Sequence, residues 1–230
     1  MPKRTRAQRK GSSRNIRTPS HRYDKEADFD DVKGEVVDIV HDPARSAPLA
    51  KIKLKDGQER YVIAPQGLQT GDTIRCGISA PIKPGNRLKL AEIPEGIPVH
   101  SVETSPGEGG KLVRSSGTYA VVKMHDMNKT VVKLPSGQTK NLKPECKATV
   151  GIVAGSGRKE KPFVKAGNKY KAMKARGKQY PTVSAVSMNA VDHPFGGSTK
   201  PGKPKNTKKT APPGKKTGSF GARSSGKRKR

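Results

Sequence analysis

The chain has no tryptophan and only two cysteines, and aromatic residues make up just 4% of its 230 positions. Cys76 and Cys146 stand apart without CxxC spacing, so neither a disulfide framework nor a cysteine zinc site is expected; this usage fits a reducing compartment. Long apolar runs are missing too. None approaches the ~18 residues of a membrane-spanning helix, which excludes that class of protein, and no membrane partner is expected. The first residues lack the apolar stretch of a signal peptide, so the chain is expected to stay in the cytoplasm where it is made. Acidic residues are scarce as well: 19 Asp and Glu face 48 Lys and Arg, for a net charge of +29.

That scarcity is uneven. Residues 1–22 hold eight basic residues and no acid, residues 23–150 hold 19 basic and 17 acidic, and residues 151–230 hold 21 basic and 2 acidic. Nearly all the excess positive charge therefore lies outside the middle of the chain. Core-forming residues partition the opposite way. Val, Ile and Leu number 29 in residues 23–150, whereas residues 165–230 have only Val183, Val186 and Val191, beside 9 Gly and 6 Pro. Ordering the backbone costs about 1–2 kcal/mol per residue. So little apolar surface does not offset that cost, and the final segment is expected to be largely disordered alone in water.

The centre reads as β structure. Leu49, Lys51, Ile52, Lys53, Leu54 and Lys55 show the apolar/charged alternation of a strand with one wet face. Asp56-Gly57 follows as a hairpin signal. GEVVDIVHD, ERYVIA, TIRCGIS and RLKLAEI supply further short apolar pieces, punctuated by Gly71-Asp72 and Pro84-Gly85-Asn86. Five or so strands in so short a span point to a small closed barrel. Residues 94–110, rich in Pro and Gly, read as a hinge. Beyond it TYAVVKMHD, TVVKLPSG, QTKNL and ATVGIVAG form a second set, fitting an SH3-like barrel, with turns at Asp126 to Lys129 and Pro135-Ser136-Gly137. Helix signals are few: only Tyr170 to Arg176 has room for a turn or two.

The basic extensions carry the chemistry. Arg4, Arg6, Arg9, Arg14, Arg17 and Arg22 recur every two to five residues among Ser, Thr, Gln and Asn. A guanidinium is a planar fork suited to bidentate phosphate contact and to stacking on bases. The tail adds Lys165, Lys169, Lys171, Lys174, Arg176 and Lys178, interleaved with Tyr170 and Tyr180, whose rings suit base stacking. At about 3.3 Å per extended residue, the last 66 residues span up to roughly 200 Å, a reach suited to threading a folded nucleic acid. His193 is the one conspicuous catalytic candidate, beside Asp192. No nucleophile or oxyanion turn completes a triad around it. His21, His41, His100 and His125 show no metal-ligand spacing, so no metal site is expected. Gly155-Ser156-Gly157 before Arg158 is too short for a dinucleotide fingerprint.

In the tail, Lys161-Pro-Phe-Val-Lys-Ala-Gly-Asn-Lys169, Lys174-Ala-Arg-Gly177 and Met188-Asn-Ala-Val-Asp-His-Pro-Phe-Gly-Gly197 resemble the signature of the ribosomal protein L-two family. The front end resembles the archaeal and eukaryotic branch, through Arg17-Thr-Pro-Ser-His-Arg-Tyr23, Glu35-Val-Val-Asp-Ile39, His41-Asp-Pro-Ala-Arg-Ser-Ala-Pro48 and Leu90-Ala-Glu-Ile-Pro-Glu-Gly96. Phe195 stands where bacterial members carry a second His, and Ala190 where they carry Pro.

The resemblance implies an all-β chain: an OB-fold barrel followed by an SH3-like barrel, between long irregular basic extensions. The expected limits are 1–33 for the N-terminal extension, 34–100 and 101–164 for the two barrels, and 165–230 for an RNA-threading tail. It implies a structural, non-enzymatic constituent of the large ribosomal subunit that binds its ribosomal RNA and needs no cofactor. Such a protein supports assembly, subunit association, tRNA binding and the peptidyl-transferase region. Neighbouring ribosomal proteins and the small subunit are the implied protein partners. The implied RNA-binding residues are Arg4, Arg6, Arg9, Arg14, Arg17, His21, Arg22, Arg45, Lys161, Lys165, Asn168, Lys169, Lys174, Arg176, Asn189, Asp192, His193, Gly196 and Gly197. His193 matches a family histidine once suspected of catalysis. Two readings of other kinds compete: a nonspecific DNA binder, and an enzyme built on Asp192 and His193.

Overall fold

The computed structural model describes residues 25, 27, 33–77, 80–158, 160–176, 178, 180–198, 206–211 and 217–221. They fall into two units, one within Ser20–Phe163 and one that includes the chain from Val164 onward.

The first unit opens with β1 (Gly34–Val40), β2 (Leu49–Leu54), β3 (Glu59–Ile63) and β4 (Thr73–Ile74), paired in the order β3-β2-β1-β4. The charge alternation in β2 does what the sequence implies. Ile52 is buried opposite Val36 of β1, while Lys53 is exposed opposite Glu35. Gly57, at φ +76°, closes the β2–β3 hairpin by donating its N–H to Leu54 O at 3.0 Å. Val36, Ala50, Ile52, Ala64 and Ile74 form one cluster. Leu49 and Ile63, opposite each other in the β2–β3 ladder, join Ala47 and Val153 in another.

The second sheet holds β5 (Arg87–Lys89), β6 (Pro98–His100), β7 (Ala120–Asp126), β8 (Lys129–Lys133), β9 (Thr139–Leu142) and β10 (Lys147–Val150), in the order β5-β10-β6-β7-β8-β9. Strand grouping therefore does not divide at residue 100. β5, expected among the first set of strands, and β6, within the stretch expected as a hinge, both pair with β10, which places Arg87 and His100 on either side of Thr149. Nor is 94–110 a simple hinge. It contains β6, and Val102 and Glu103 within it are buried. The core of this sheet includes Leu88, Leu90, Ile93, Val99, Val122 and Val132. Fully burying each such side chain contributes about 1.5–3 kcal/mol. The turn at Pro135-Ser136-Gly137 forms as expected, with Leu134 N–H on Gln138 O at 2.8 Å. The chain is an OB-fold barrel followed by an SH3-like barrel, and nearly all of its regular structure is β.

In the second unit, α1 (Ala166–Ala175) is followed by a 3-10 turn (Ala185–Ser187) and a short parallel pair, β11 (Asn206–Thr207) with β12 (Ser219–Phe220). The helix starts four residues before the expected Tyr170. Gly167, a poor helix former, sits in its first turn, where most backbone N–H groups lack intrahelical partners anyway.

The second barrel buries a histidine. His100 is 1% exposed, its Nδ1 lies 3.0 Å from the Ser101 hydroxyl, and its Nε2 has no hydrogen-bond partner among the described residues. Burial disfavours the charged ring and pushes its pKa down to about 4. The unfolded chain, with an ordinary value near 6.5, therefore takes up the proton first. Stability from this residue is complete above about pH 6.5 and is lost as the pH falls toward 4. Urea midpoints measured from pH 7.5 to 5 should record a loss of about 2 kcal/mol, and His100→Gln should flatten the curve. An equally steep curve in the variant would assign the acid sensitivity elsewhere.

Candidate nucleic-acid interface

Arg4, Arg6, Arg9, Arg14, Arg17, His21 and Arg22 lie outside the described residues. Arg45 is described, and it braces a turn. Its Nε donates to Asp42 Oδ2 at 2.8 Å, against a carboxylate that is 0% exposed. The same carboxylate accepts the Ala44 N–H at 3.2 Å. Lys161 is exposed ahead of the second unit.

Lys165, Asn168, Lys169, Lys174 and Arg176 are gathered by α1. Lys165 is its N-cap and Arg176 its C-cap, and no acidic residue occupies the first turn. At 3.6 residues per turn, Lys165, Asn168, Lys169 and Arg176 fall on one side of the helix, with Lys174 on the other. The Lys169 ammonium sits 5.2 Å from the centroid of the Tyr180 ring, a cation–π contact that fixes part of this stripe.

Asn189, Asp192, His193, Gly196 and Gly197 come together in one closed loop. Asn189 O accepts the N–H groups of Asp192 (2.9 Å) and His193 (3.1 Å), and Met188 O accepts that of Gly197 (3.1 Å). Gly196 is buried where a Cβ would stand 2.3 Å from Met188 O and 2.4 Å from Asn189 O. Only glycine lets the strands of the loop approach so closely. The Phe195 N–H donates to His193 Nδ1 at 3.1 Å, and the two rings lie 5.0 Å apart, tilted by 56°. That bond occupies the lone pair on Nδ1, so the neutral ring carries its proton on Nε2. Burial lowers the pKa of His193, which keeps the ring neutral. The site is a hydrogen-bonded polar loop and, earlier in the chain, a basic helix. It displays hydrogen-bond donors and cations, with no base free on the imidazole.

His125, which has no metal-ligand spacing, is a structural residue. Its Nε2 donates to Ile93 O at 2.8 Å, and its Nδ1 lies 3.2 Å from the buried Thr130 hydroxyl. Among the described residues no cluster of His, Cys, Asp and Glu stands at metal-holding distance, and no helix is long and apolar enough to cross a membrane. Of the buried charged residues, Arg87 takes a charged place in the alternation of RLKLAEI that reads as a wet face, while Asp42 and Glu103 follow strand pieces in turns that carry no burial signal.

Two small β-barrels joined to a basic, acid-poor extension define a class: β-barrel proteins suited to binding nucleic acid. Residues 3–76 match the family description "Ribosomal Proteins L2, RNA binding N-terminal domain", and residues 83–217 match "Ribosomal Proteins L2, C-terminal domain". The chain is 54% identical over 236 residues to large ribosomal subunit protein uL2 of Halorubrum lacusprofundi, covering 99% of this chain and 98% of that one. It is 53% identical over 236 residues to uL2 of Haloarcula marismortui, covering 99% and 98%. With uL2 of Methanothermobacter thermautotrophicus the identity is 51% over 241 residues and 100% of both chains. The chain belongs to the ribosomal protein L2 family.

Proposed function

We propose that this chain is a structural constituent of the large ribosomal subunit that binds its ribosomal RNA and is not an enzyme. Its place is the cytoplasmic ribosome, among neighbouring ribosomal proteins and in contact with the small subunit. There it supports assembly, subunit association, tRNA binding and the peptidyl-transferase region. The residues that carry RNA contact are the Arg residues of the N-terminal extension with His21, then Arg45, Lys161, the α1 set and the 189–197 loop.

The observation that carries this reading is α1 itself. The helix has ten residues, buries none of them, and has no acid in its first turn. Isolated helices shorter than about 12–15 residues are marginal in water, and the like charges of Lys171 and Lys174, three residues apart on the helix, weaken it further. Such a helix is stabilised by an external polyanion. Tagged chain should therefore sediment with large subunits in a sucrose gradient. It should also prefer structured ribosomal RNA over duplex DNA at matched salt. Sedimentation with neither subunit, or equal affinity for both polymers, would defeat the proposal.

His193 separates the structural role from a catalytic one. Loss of a general base typically lowers a rate by roughly 10²–10⁴-fold. With its Nδ1 lone pair engaged by Phe195, His193 is a loop organiser instead. His193→Gln should impair particle assembly while leaving the peptide-bond rate within about tenfold. Normal assembly with a rate about a hundredfold lower would overturn this assignment.

A further inference from the structure

A shallow groove of about 400 Å³ runs along the outside of the second barrel, between the segment leading into β7 and the β8–β9 hairpin. Gly117, Thr118, Tyr119 and Val121 form one wall, and Lys133 and Pro135 the other. Tyr119 is 45% exposed. Lys133, also exposed, sits opposite Val121 in the β7–β8 ladder. No acidic side chain lines the groove.

The walls are held from behind. Gly117 N–H donates to Val153 O at 3.0 Å, and Val153 N–H donates to Thr118 O at 3.2 Å. The Thr118 hydroxyl donates to Ser115 O at 2.6 Å. At Gly117, with φ +67°, a Cβ would stand 2.7 Å from the Ser156 Cα, so the close approach that fixes this wall depends on glycine. Arg158 adds a second cation to the neighbourhood, with its Nε donating to the Ser116 hydroxyl at 2.9 Å. The groove thus presents a half-exposed aromatic ring and an ammonium on a rigid frame, without a carboxylate.

We infer that this groove holds one unstacked nucleotide of a single-stranded RNA segment, its base stacked on Tyr119 and its phosphate against Lys133. A ring and a cation on either side of a shallow groove are what single-strand recognition needs, since every base offers a π-face and every nucleotide a phosphate. Duplex RNA, whose bases are already stacked, does not fit it. The inference rests on the RNA-binding role proposed above and adds a specific site on the second barrel.

The chain lacks tryptophan, so Tyr119→Trp supplies a unique fluorophore in the full-length protein while keeping a stacking ring. Its emission should be quenched by octauridylate and not by a short RNA duplex. Tyr119→Ala should weaken octauridylate binding by about 5- to 150-fold, the range that one base–aromatic stack carries. Tyr119→Phe should bind as the parent chain does. Lys133→Ala should lower the salt dependence by about one phosphate contact. Unchanged emission at saturating octauridylate, with ribosomal RNA still bound preferentially, would overturn the groove assignment and leave the wider role intact. Absence of preferential ribosomal RNA binding would overturn both. Quenching by an acidic peptide but not by octauridylate would assign the groove to a protein partner, and so also overturn it.

Discussion

Deleting residues 198–230 should flatten the salt dependence of RNA binding by a large step while leaving selectivity nearly intact. The segment carries twelve basic residues, from Lys200 to Arg230, and no acid. Each phosphate neutralised contributes a log–log slope of roughly −0.7 to −0.9 through counterion release. Full engagement of the segment is thus worth about 8 to 11 in slope, and engagement of half of it about 4 to 5. Selectivity for structured ribosomal RNA over duplex DNA should persist, because the barrels, α1 and the 188–197 loop all lie outside the deleted segment. Stability should persist too, since the deleted segment contains no Val, Ile or Leu and both barrel cores lie within residues 27–153. Titrating RNA affinity against potassium chloride for intact and shortened chains measures the change. Equal slopes would mean that the tail does not touch phosphate.

The division of labour behind that prediction is legible in the sequence, because it depends on composition. Charge collects where Val, Ile and Leu are absent, and β alternation collects where the charge balances. The β2–β3 hairpin follows from Lys51 to Gly57 alone. Strand partners are another matter. β5 and β6 lie beside the first strands in sequence, yet they pair with Lys147–Val150, which the chain reaches only after the whole β7–β9 meander. Periodicity identifies a strand and not its neighbour. The start of α1 is hard to read because Gly167 weakens the helix signal ahead of Tyr170, although in the first turn its cost is small. The 188–197 loop was recognisable as a block, but the need for glycine at position 196 is a close contact that no local pattern reveals. Tyr119 reads in sequence as the first apolar residue of a strand. In the structure it stands one residue ahead of β7 and is exposed, while the β7–β8 register sets Lys133 opposite Val121 across the groove.

Glu103→Ala should destabilise the free protein by about 3–5 kcal/mol, the usual cost of breaking a buried ion pair from one side. The Glu103 side chain is 2% exposed and that of Arg87 5%, with Arg87 Nη2 donating to Glu103 Oε1 at 2.7 Å. The other carboxylate oxygen accepts the Lys147 N–H at 2.9 Å and the Gly107 N–H at 3.3 Å. One carboxylate therefore ties β5 to β10 and closes the 103–107 turn, all within the sheet that carries the Tyr119 groove. Truncation strips the acceptor from three donors at once, and buried donors left unsatisfied are costly. A double variant, Glu103→Leu with Arg87→Met, should recover only part of the loss, because it removes the uncompensated Arg87 charge but still deprives the Lys147 and Gly107 N–H groups of the carboxylate. Urea unfolding at neutral pH tests both variants, and a cost below about 1 kcal/mol for Glu103→Ala would show that the pair is not under strict burial. Bound RNA should mask the defect. A ligand at a hundredfold excess over its Kd adds about 2.7 kcal/mol to the folded state. Particles assembled at saturating ribosomal RNA should then contain the single variant at full occupancy, although the free variant unfolds early. Reduced occupancy at saturation would mean that the ion pair also shapes the surface the RNA contacts.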